Sequence, residues 1–302
     1  MHRHKSLKSL RAKGFVEITR PPNGLMMALA VYVGYFVQSG RIPSPLEGAF
    51  AAVTAYTLTA SSMVVNDIID REIDAVNNPR RPIPSGLVKA SEAAPFSILL
   101  GLTGLGSSAV LGSSALVVAA IFYALALSYN AYLKKRGLIG NAAVSATISA
   151  PYIYGAVLAE GMVGLPVAII ASMSFLAGMG REVVKGISDV EGDRRRGVQT
   201  YAITHGVKAA AKLGAFFVFA AVALSPLPVA IGTMSLLYIP PVAIADVGFT
   251  YSNIKLLRDP AISKRTKTEY LAWMLMGLVG FLLGAHRSVS YTHLTLPTNR
   301  EV

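Results

Sequence analysis

Residues 93–133 contain no charged side chain over 41 consecutive positions. As one helix the run would be about 60 Å long at 1.5 Å per residue, twice the roughly 30 Å of a bilayer's hydrocarbon core. It therefore has to cross a membrane twice, and Gly112-Ser113-Ser114 is where it can turn. The same argument divides 137–180 at Ala159-Glu160-Gly161 and 209–250 at Ser225-Pro226-Leu227-Pro228. Applied to the whole chain it predicts nine spans, at 23–38, 46–65, 93–110, 114–133, 139–158, 163–180, 209–226, 229–250 and 269–285. The expected fold is all-α, a polytopic membrane protein whose nine transmembrane helices form one bundle around a central cavity open to the cytoplasmic side. A chain that is 53% apolar and only 15% charged fits no soluble class as well.

The charges test that topology. With nine spans, 25 of the 28 lysines and arginines fall in one alternating set of loops, and only Arg41, Arg287 and Arg300 fall in the other. Such asymmetry is the positive-inside signature, and it puts the N-terminus and the basic loops in the cytoplasm of a multi-pass cell-membrane protein. The net charge of +12 is then a topology signal. A nucleic-acid partner is not expected, because the cations are spread over five loops between apolar helices. The first helix reads as a retained span, since no small-residue cleavage site follows the basic N-terminus. Residues 1–286 read as a single membrane-embedded domain. The polar tail 287–302 reads as an added cloning remnant outside it.

With no cysteine, disulfides, zinc fingers and thiol catalysis are excluded. The five histidines, His2, His4, His205, His286 and His293, are not paired at ligand spacing within a span, which argues against a haem or histidine-metal site.

Chemistry concentrates in two acid runs. Asn66-Asp67-Ile68-Ile69-Asp70-Arg71-Glu72-Ile73-Asp74 follows the second span, and Asp189-Val190-Glu191-Gly192-Asp193 follows the sixth. If both are helical, Asn66, Asp70 and Asp74 form one stripe, and Asp189 and Asp193 make a matching pair. Weak internal duplication would explain the even-numbered placement. Both runs lie on the cytoplasmic side and can face each other across one cavity mouth. Hard oxygen donors at Asn66, Asp70, Asp74, Asp189 and Asp193 suit Mg²⁺ shared with a substrate's phosphates. The cations around them, Arg20, Arg80, Arg81, Lys134, Arg181 and Lys185, suit the remaining oxygens of a diphosphate. The triplets Lys134-Lys135-Arg136 and Arg194-Arg195-Arg196 also serve as topology signals. Glu182 reads as a partner for Lys185. Asp246 reads as either a packing polar group or a cavity-lining acid. No Walker-type glycine loop is present, so a nucleotide fits poorly.

The first run, continued by Asn78-Pro79-Arg80-Arg81-Pro82-Ile83-Pro84-Ser85-Gly86, resembles the first signature of the UbiA-type intramembrane prenyltransferases. Arg181-Glu182-x-x-Lys185-x-x-x-Asp189-Val190-Glu191-Gly192-Asp193 is similar to their second, in the form seen in archaeal members. Arg20-Pro21-Pro22-Asn23 and the segment from Tyr129 to Gly140-Asn141 extend the likeness to about residues 15–285. Two details depart from it. Lys134 follows Tyr129 by five positions where the family often has four, and Gly186 and Ser188 stand where archaeal members usually carry acids.

The resemblance implies a nine-helix bundle, Mg²⁺, a polyprenyl diphosphate donor such as geranylgeranyl diphosphate, and a lipophilic acceptor. That acceptor is either an aromatic or quinone precursor or geranylgeranylglyceryl phosphate. The reaction would proceed by ionisation to an allylic carbocation with release of diphosphate. Asp67, Asp70, Asp74, Asp189 and Asp193 are the candidate catalytic acids, with Asp67 or Asp74 available to accept a proton from a hydroxyl acceptor. Two other readings of the residues stay open. One is a lipid-phosphate phosphatase or phosphotransferase, for which only His205 is near. The other is a cation-coupled transporter, although its acids would be expected at the midplane.

Overall fold

The computed structural model describes the backbone of residues 2–195 and 197–285, and the side chains among them except those of residues 2–9, 77 and 195. Every regular element among these residues is helical. A polar helix α1 (His2–Ile18) precedes α2 (Pro21–Ser39), α3 (Pro45–Ile69) and the short α4 (Arg71–Asn77). Then come α5 (Ala90–Val110), α6 (Ser113–Ala131), α7 (Leu138–Glu160), α8 (Leu165–Ser188) and the short α9 (Val190–Arg195). The chain continues through α10 (Tyr201–His205), α11 (Val207–Leu224), α12 (Leu227–Ala230), α13 (Ile239–Arg258) and α14 (Ser263–Gly284). The tail 287–302 lies outside the described residues.

The turns fall where length required them. α5 gives way to α6 at Gly112, whose φ of 121° only glycine adopts readily. Glu160 ends α7, and α11 stops one residue before Ser225. Six helical segments are long and apolar enough to cross a membrane: Pro45–Ile69, Ala90–Val110, Ser113–Ala131, Leu138–Glu160, Leu165–Ser188 and Val207–Ala230. The expected spans at 23–38 and 269–285 are also helical, within α2 and α14, but fall outside that set.

The eighth expected span, 229–250, needs correction. Residues 231–235 are not helical, and α13 runs from Ile239 to Arg258. Gly232 at φ 69° breaks the chain after α12, and Pro240-Pro241 occupy the first turn of α13, where a missing N–H costs nothing. The helix then continues past the apolar boundary to carry Lys255 and Arg258 in its last turn, where cations suit the dipole. α3 and α8 likewise outrun their expected ends at 65 and 180. Hydropathy stops at the first charges, whereas the backbone ladder does not. Both acid motifs are therefore presented by helix ends and not by loops.

The helices pack in chain order as a ring, α2 on α3, α3 on α5, α5 on α6, and onward to α13 and α14, which returns to α2. α2 also crosses α7 at the centre. A Cβ at Gly34 would sit 2.7 Å from the Cα of Tyr152, so only glycine allows this approach. The buried core around this crossing, with Val33, Val37, Tyr152, Ile170 and Phe281, holds the ring rigid beneath the acid motifs.

Candidate active site

The two motifs share one local design. α3 ends at Ile69, Asp70 takes φ −87° and ψ 4°, and α4 begins at Arg71. α8 ends at Ser188, Asp189 takes φ −109° and ψ 5°, and α9 begins at Val190. These are bridge-region angles, sparsely populated and common among active-site residues. The hydrogen-bond ladder bends without breaking. Asp70 N–H reaches Asn66 O at 2.9 Å and Asp74 N–H reaches Asp70 O at 2.8 Å; Asp189 and Asp193 repeat this at 3.1 and 2.8 Å. Each motif thus places one aspartate at a hinge and another, Asp74 or Asp193, one turn beyond it. Asn66 lies half-buried in the last turn of α3.

In the first motif the acids are held by cations from three other segments. Arg20 forms an ion pair with Asp67, whose side chain is 4% exposed. Arg81 reaches the same Asp67 oxygen at 3.5 Å and Asp74 at 2.5 Å. Asn78 donates to the other oxygen of Asp74 at 3.3 Å. Lys134, in the turn after α6, donates to Asp70 at 2.5 Å, so the longer spacing from Tyr129 does not keep it from the site. Arg20 is the only non-glycine with positive φ among the described residues, at 49°. Pro21 disfavours the ordinary helical conformation for the residue before it. The resulting strain is held where the guanidinium meets Asp67.

In the second motif Glu182, 6% exposed, accepts from Arg181 at 2.7 Å and from Lys185 at 3.1 Å. Arg181 Nε is buried without a hydrogen-bond partner, a donor left available to a ligand. Asp189 accepts from Lys267 Nζ at 3.1 Å, and the same ammonium reaches Ser188 Oγ at 2.8 Å. Lys267 escaped sequence reasoning because it lies 78 positions away, on α14. Its basic neighbours Lys264 and Arg265 made it look like one more topology charge.

Arg80 is exposed on its turn, and among the described residues it makes no ion pair with the motif acids. The side chain of Arg195, and Arg196, lie outside the described residues.

Below the cations lies a cavity of about 340 Å³. Arg181 and Asn23 line it at the level of the acids; Tyr152, Met173 and Phe281 line it deeper. From Arg181 back to Met173 is eight residues of helix, about 12 Å. Asp246 is a cavity-lining acid and not only a packing group, with Ser225 donating to it at 2.5 Å. A second, mostly apolar cavity of about 120 Å³ lies between α2, α3, α6 and α7. The two share Met27, Thr59, Met63 and Thr147 as a partition. Arg20 donates to Met63 at 3.4 Å, so its guanidinium sits at the top of that partition.

Among the described residues no three His, Cys, Asp or Glu side chains converge as a ready metal cage. The donor set still fits a hard divalent ion. Both hinge aspartates offer carboxylate oxygens that already hold a cationic nitrogen, at 2.5 and 3.1 Å. Mg²⁺ characteristically takes one or two protein carboxylates and completes its shell with phosphate and water.

Residues 27–291 match the UbiA prenyltransferase family. A digeranylgeranylglyceryl phosphate synthase from Archaeoglobus fulgidus is 34% identical over 292 residues, covering 94% of this chain and 99% of the relative. A solved structure described as giving insights into digeranylgeranylglyceryl phosphate synthase in membranes superposes with a TM-score of 0.77 at 32% identity, over 91% of this chain and 99% of its own. A UbiA homologue from Archaeoglobus fulgidus bound to DMAPP and Mg²⁺ shares the fold with a TM-score of 0.67 at 14% identity, over 89% and 99% of the two chains.

Proposed function

The chain belongs to the UbiA prenyltransferase family, and on that footing we propose that it joins a geranylgeranyl group to the free hydroxyl of geranylgeranylglyceryl phosphate. The acceptor follows the printed activity of relatives such as the Archaeoglobus fulgidus synthase. In that reaction the acceptor oxygen bonds to C1 of the donor as the C1–O bond to diphosphate breaks. Diphosphate leaves and takes up the hydroxyl proton.

The observation that carries this reading is the placement of Arg20 and Arg181 on one apolar cavity, Arg181 in its wall and Arg20 on Met63. A charged head and a long apolar tail are the two halves of a prenyl diphosphate, and the cavity offers a place for each. Arg20, Arg81, Lys134, Arg181 and Lys185 bind the diphosphate, the arginines with two-pronged geometry. Asn66, Asp70, Asp74, Asp189 and Asp193 are the residues that would hold Mg²⁺. When bound, the ion offsets charge growing on the leaving group. Asp67 is engaged by two guanidiniums and Asp74 by one, which suits acids that fix Arg20 and Arg81 in position better than acids that accept a proton. The apolar walls keep water from an allylic cation.

The donor tail occupies the larger cavity, and the acceptor's own chain the smaller one beyond Met27 and Met63. Gly277 lines the larger cavity, and a Cβ added there meets nothing within 4 Å. Gly277→Leu therefore leaves folding intact and fills space meant for the tail. It should raise KM for geranylgeranyl diphosphate at least about tenfold while geranyl diphosphate is affected less than threefold, the order of effect of a few methylenes. Equal effects on both donors would move the tail elsewhere.

The long helices form nine crossings with both acid motifs in the cytoplasm. The parent has no cysteine, so single cysteines at Ser85 and Gly197 should react with an impermeant thiol reagent from one side and a cysteine at Ser44 from the other. Labelling of Ser85 and Gly197 from opposite sides would divide the site between two compartments and end the proposal.

The decisive experiment incubates purified protein with labelled geranylgeranyl diphosphate, Mg²⁺ and either geranylgeranylglyceryl phosphate or a panel of aromatic acceptors. Product mass identifies the acceptor. A product with an aromatic acceptor alone overturns the assignment.

A further inference from the structure

The two acid motifs are the same device built twice, and the repetition extends to a lysine. Taking the long helices in order, α2, α3, α5 and α6 form one set of four, and α7, α8, α11 and α13 form a second. In each set the second helix ends in a hinge aspartate, Asp70 or Asp189, with matching backbone angles and the same pair of backbone hydrogen bonds. In each set a lysine from beyond the fourth helix reaches back to that hinge, Lys134 three residues past α6 and Lys267 nine residues past α13, in the second turn of α14. Lys134 follows α6 and donates to Asp70 at 2.5 Å; Lys267 follows α13 and donates to Asp189 at 3.1 Å. Both lysines are mostly covered, with side-chain exposures of 18% and 23%. A covered ammonium on a partly exposed carboxylate is not the pattern of a solvated surface pair.

We infer that Lys267 is the counterpart of Lys134 in the second half of the site, a diphosphate-binding residue that occupies the Asp189 carboxylate until the donor and its Mg²⁺ arrive. The inference rests on the prenyl-transfer reading above. Its chemistry is an exchange of partners. With the hinge carboxylate engaged by a divalent ion, the Lys267 ammonium, on its flexible four-carbon stem, would turn to an oxygen of the incoming diphosphate. Ser188 offers Lys267 a second contact at 2.8 Å, so the side chain keeps one anchor while it changes the other. This arrangement also gives α14, which has no counterpart in the first set of four, a reason to begin at the site. It would deliver the cation that closes the second motif.

Two binding measurements test this without turnover. The first is calorimetric titration of the donor-free protein with Mg²⁺. Lys267→Met removes a competitor for Asp189 and should tighten Mg²⁺ binding about fivefold or more. The second is binding of a non-ionising thiolodiphosphate analogue of geranylgeranyl diphosphate in the presence of Mg²⁺. Loss of one charge-assisted contact should weaken it about tenfold. Lys134→Met should shift both constants in the same directions, and Lys267→Arg should restore analogue binding in part. A residue that merely ties α14 to α8 would change the unfolding temperature and leave both constants within twofold, and that outcome overturns the inference. Should Lys267→Met fail to fold, Lys267→Gln, which retains a hydrogen bond to Ser188, gives the same two readings. If the parent itself does not bind the analogue, the prenyl-transfer reading is what fails.

Discussion

Asp70→Ala and Asp189→Ala are each expected to lower the rate of prenyl transfer by at least about a thousandfold at saturating Mg²⁺, which corresponds to several kcal/mol of lost charge stabilisation. Each aspartate stands at the bend between a long and a short helix, and each presents an oxygen that already holds a cation. Among the described residues no three acids converge as a ready cage, so each hinge carboxylate is a large share of the charge offered to the ion. The folded protein should survive. The side chains are 22% and 38% exposed, and a partly solvated ion pair contributes less than about 1 kcal/mol. Helix content by circular dichroism should therefore match the parent while product formation disappears. Near-normal turnover in either variant would rule out a site built from both motifs.

How much of this was legible beforehand follows from what each inference needs. Turns at Gly112, Gly161 and Ser225 could be read from length, because a bilayer sets a ruler and these positions exceed it. Both motifs could be read from spacing, because 3.6 residues per turn aligns Asn66 with Asp70 and Asp74. The course of residues 229–250 could not, because an apolar run says nothing of where prolines and a positive-φ glycine halt a helix. Asp70 as a hinge was also hidden, since the i, i+4 pattern is the same whether the helix is straight or bent. Lys267 was the hardest. Its partner lies on another helix, and only packing of α14 beside α8 makes the pair. Contacts within one helix follow from local spacing, whereas contacts between helices need the ring. The same limit applies to Arg20, Arg80 and Arg81. Sequence placed all three near the acids, but only the fold separates the two that grip buried carboxylates from the one left in solvent.

That separation yields the second large effect. Arg81→Ala is expected to reduce kcat/KM for the donor by ten- to a hundredfold, as loss of a charge-assisted contact to an anion worth about 1.5–3 kcal/mol requires. It should also destabilise the protein. Arg81 pairs with Asp67 and Asp74, whose side chains are 4% and 6% exposed. Removing it leaves Asp67 with Arg20, but among the described residues leaves Asp74 with only the amide of Asn78 at 3.3 Å. Breaking a fully buried ion pair costs about 3–5 kcal/mol; because the Arg81 side chain is 34% exposed, about 2 kcal/mol is the better expectation here. The two losses have different causes and should come apart. Adding Asp74→Asn to Arg81→Ala removes the uncompensated charge, so the unfolding temperature should recover while donor turnover stays low. Arg81→Lys should recover part of the activity, since lysine keeps the charge but not the planar two-pronged geometry suited to a diphosphate. Arg80→Ala, one position away and exposed, should change donor kcat/KM by less than about threefold, under the ~0.7 kcal/mol of a solvated charge. If Arg80→Ala proves as damaging as Arg81→Ala, the diphosphate must lie out over the loop at 78–86 and not above the cavity beside Arg20 and Arg181.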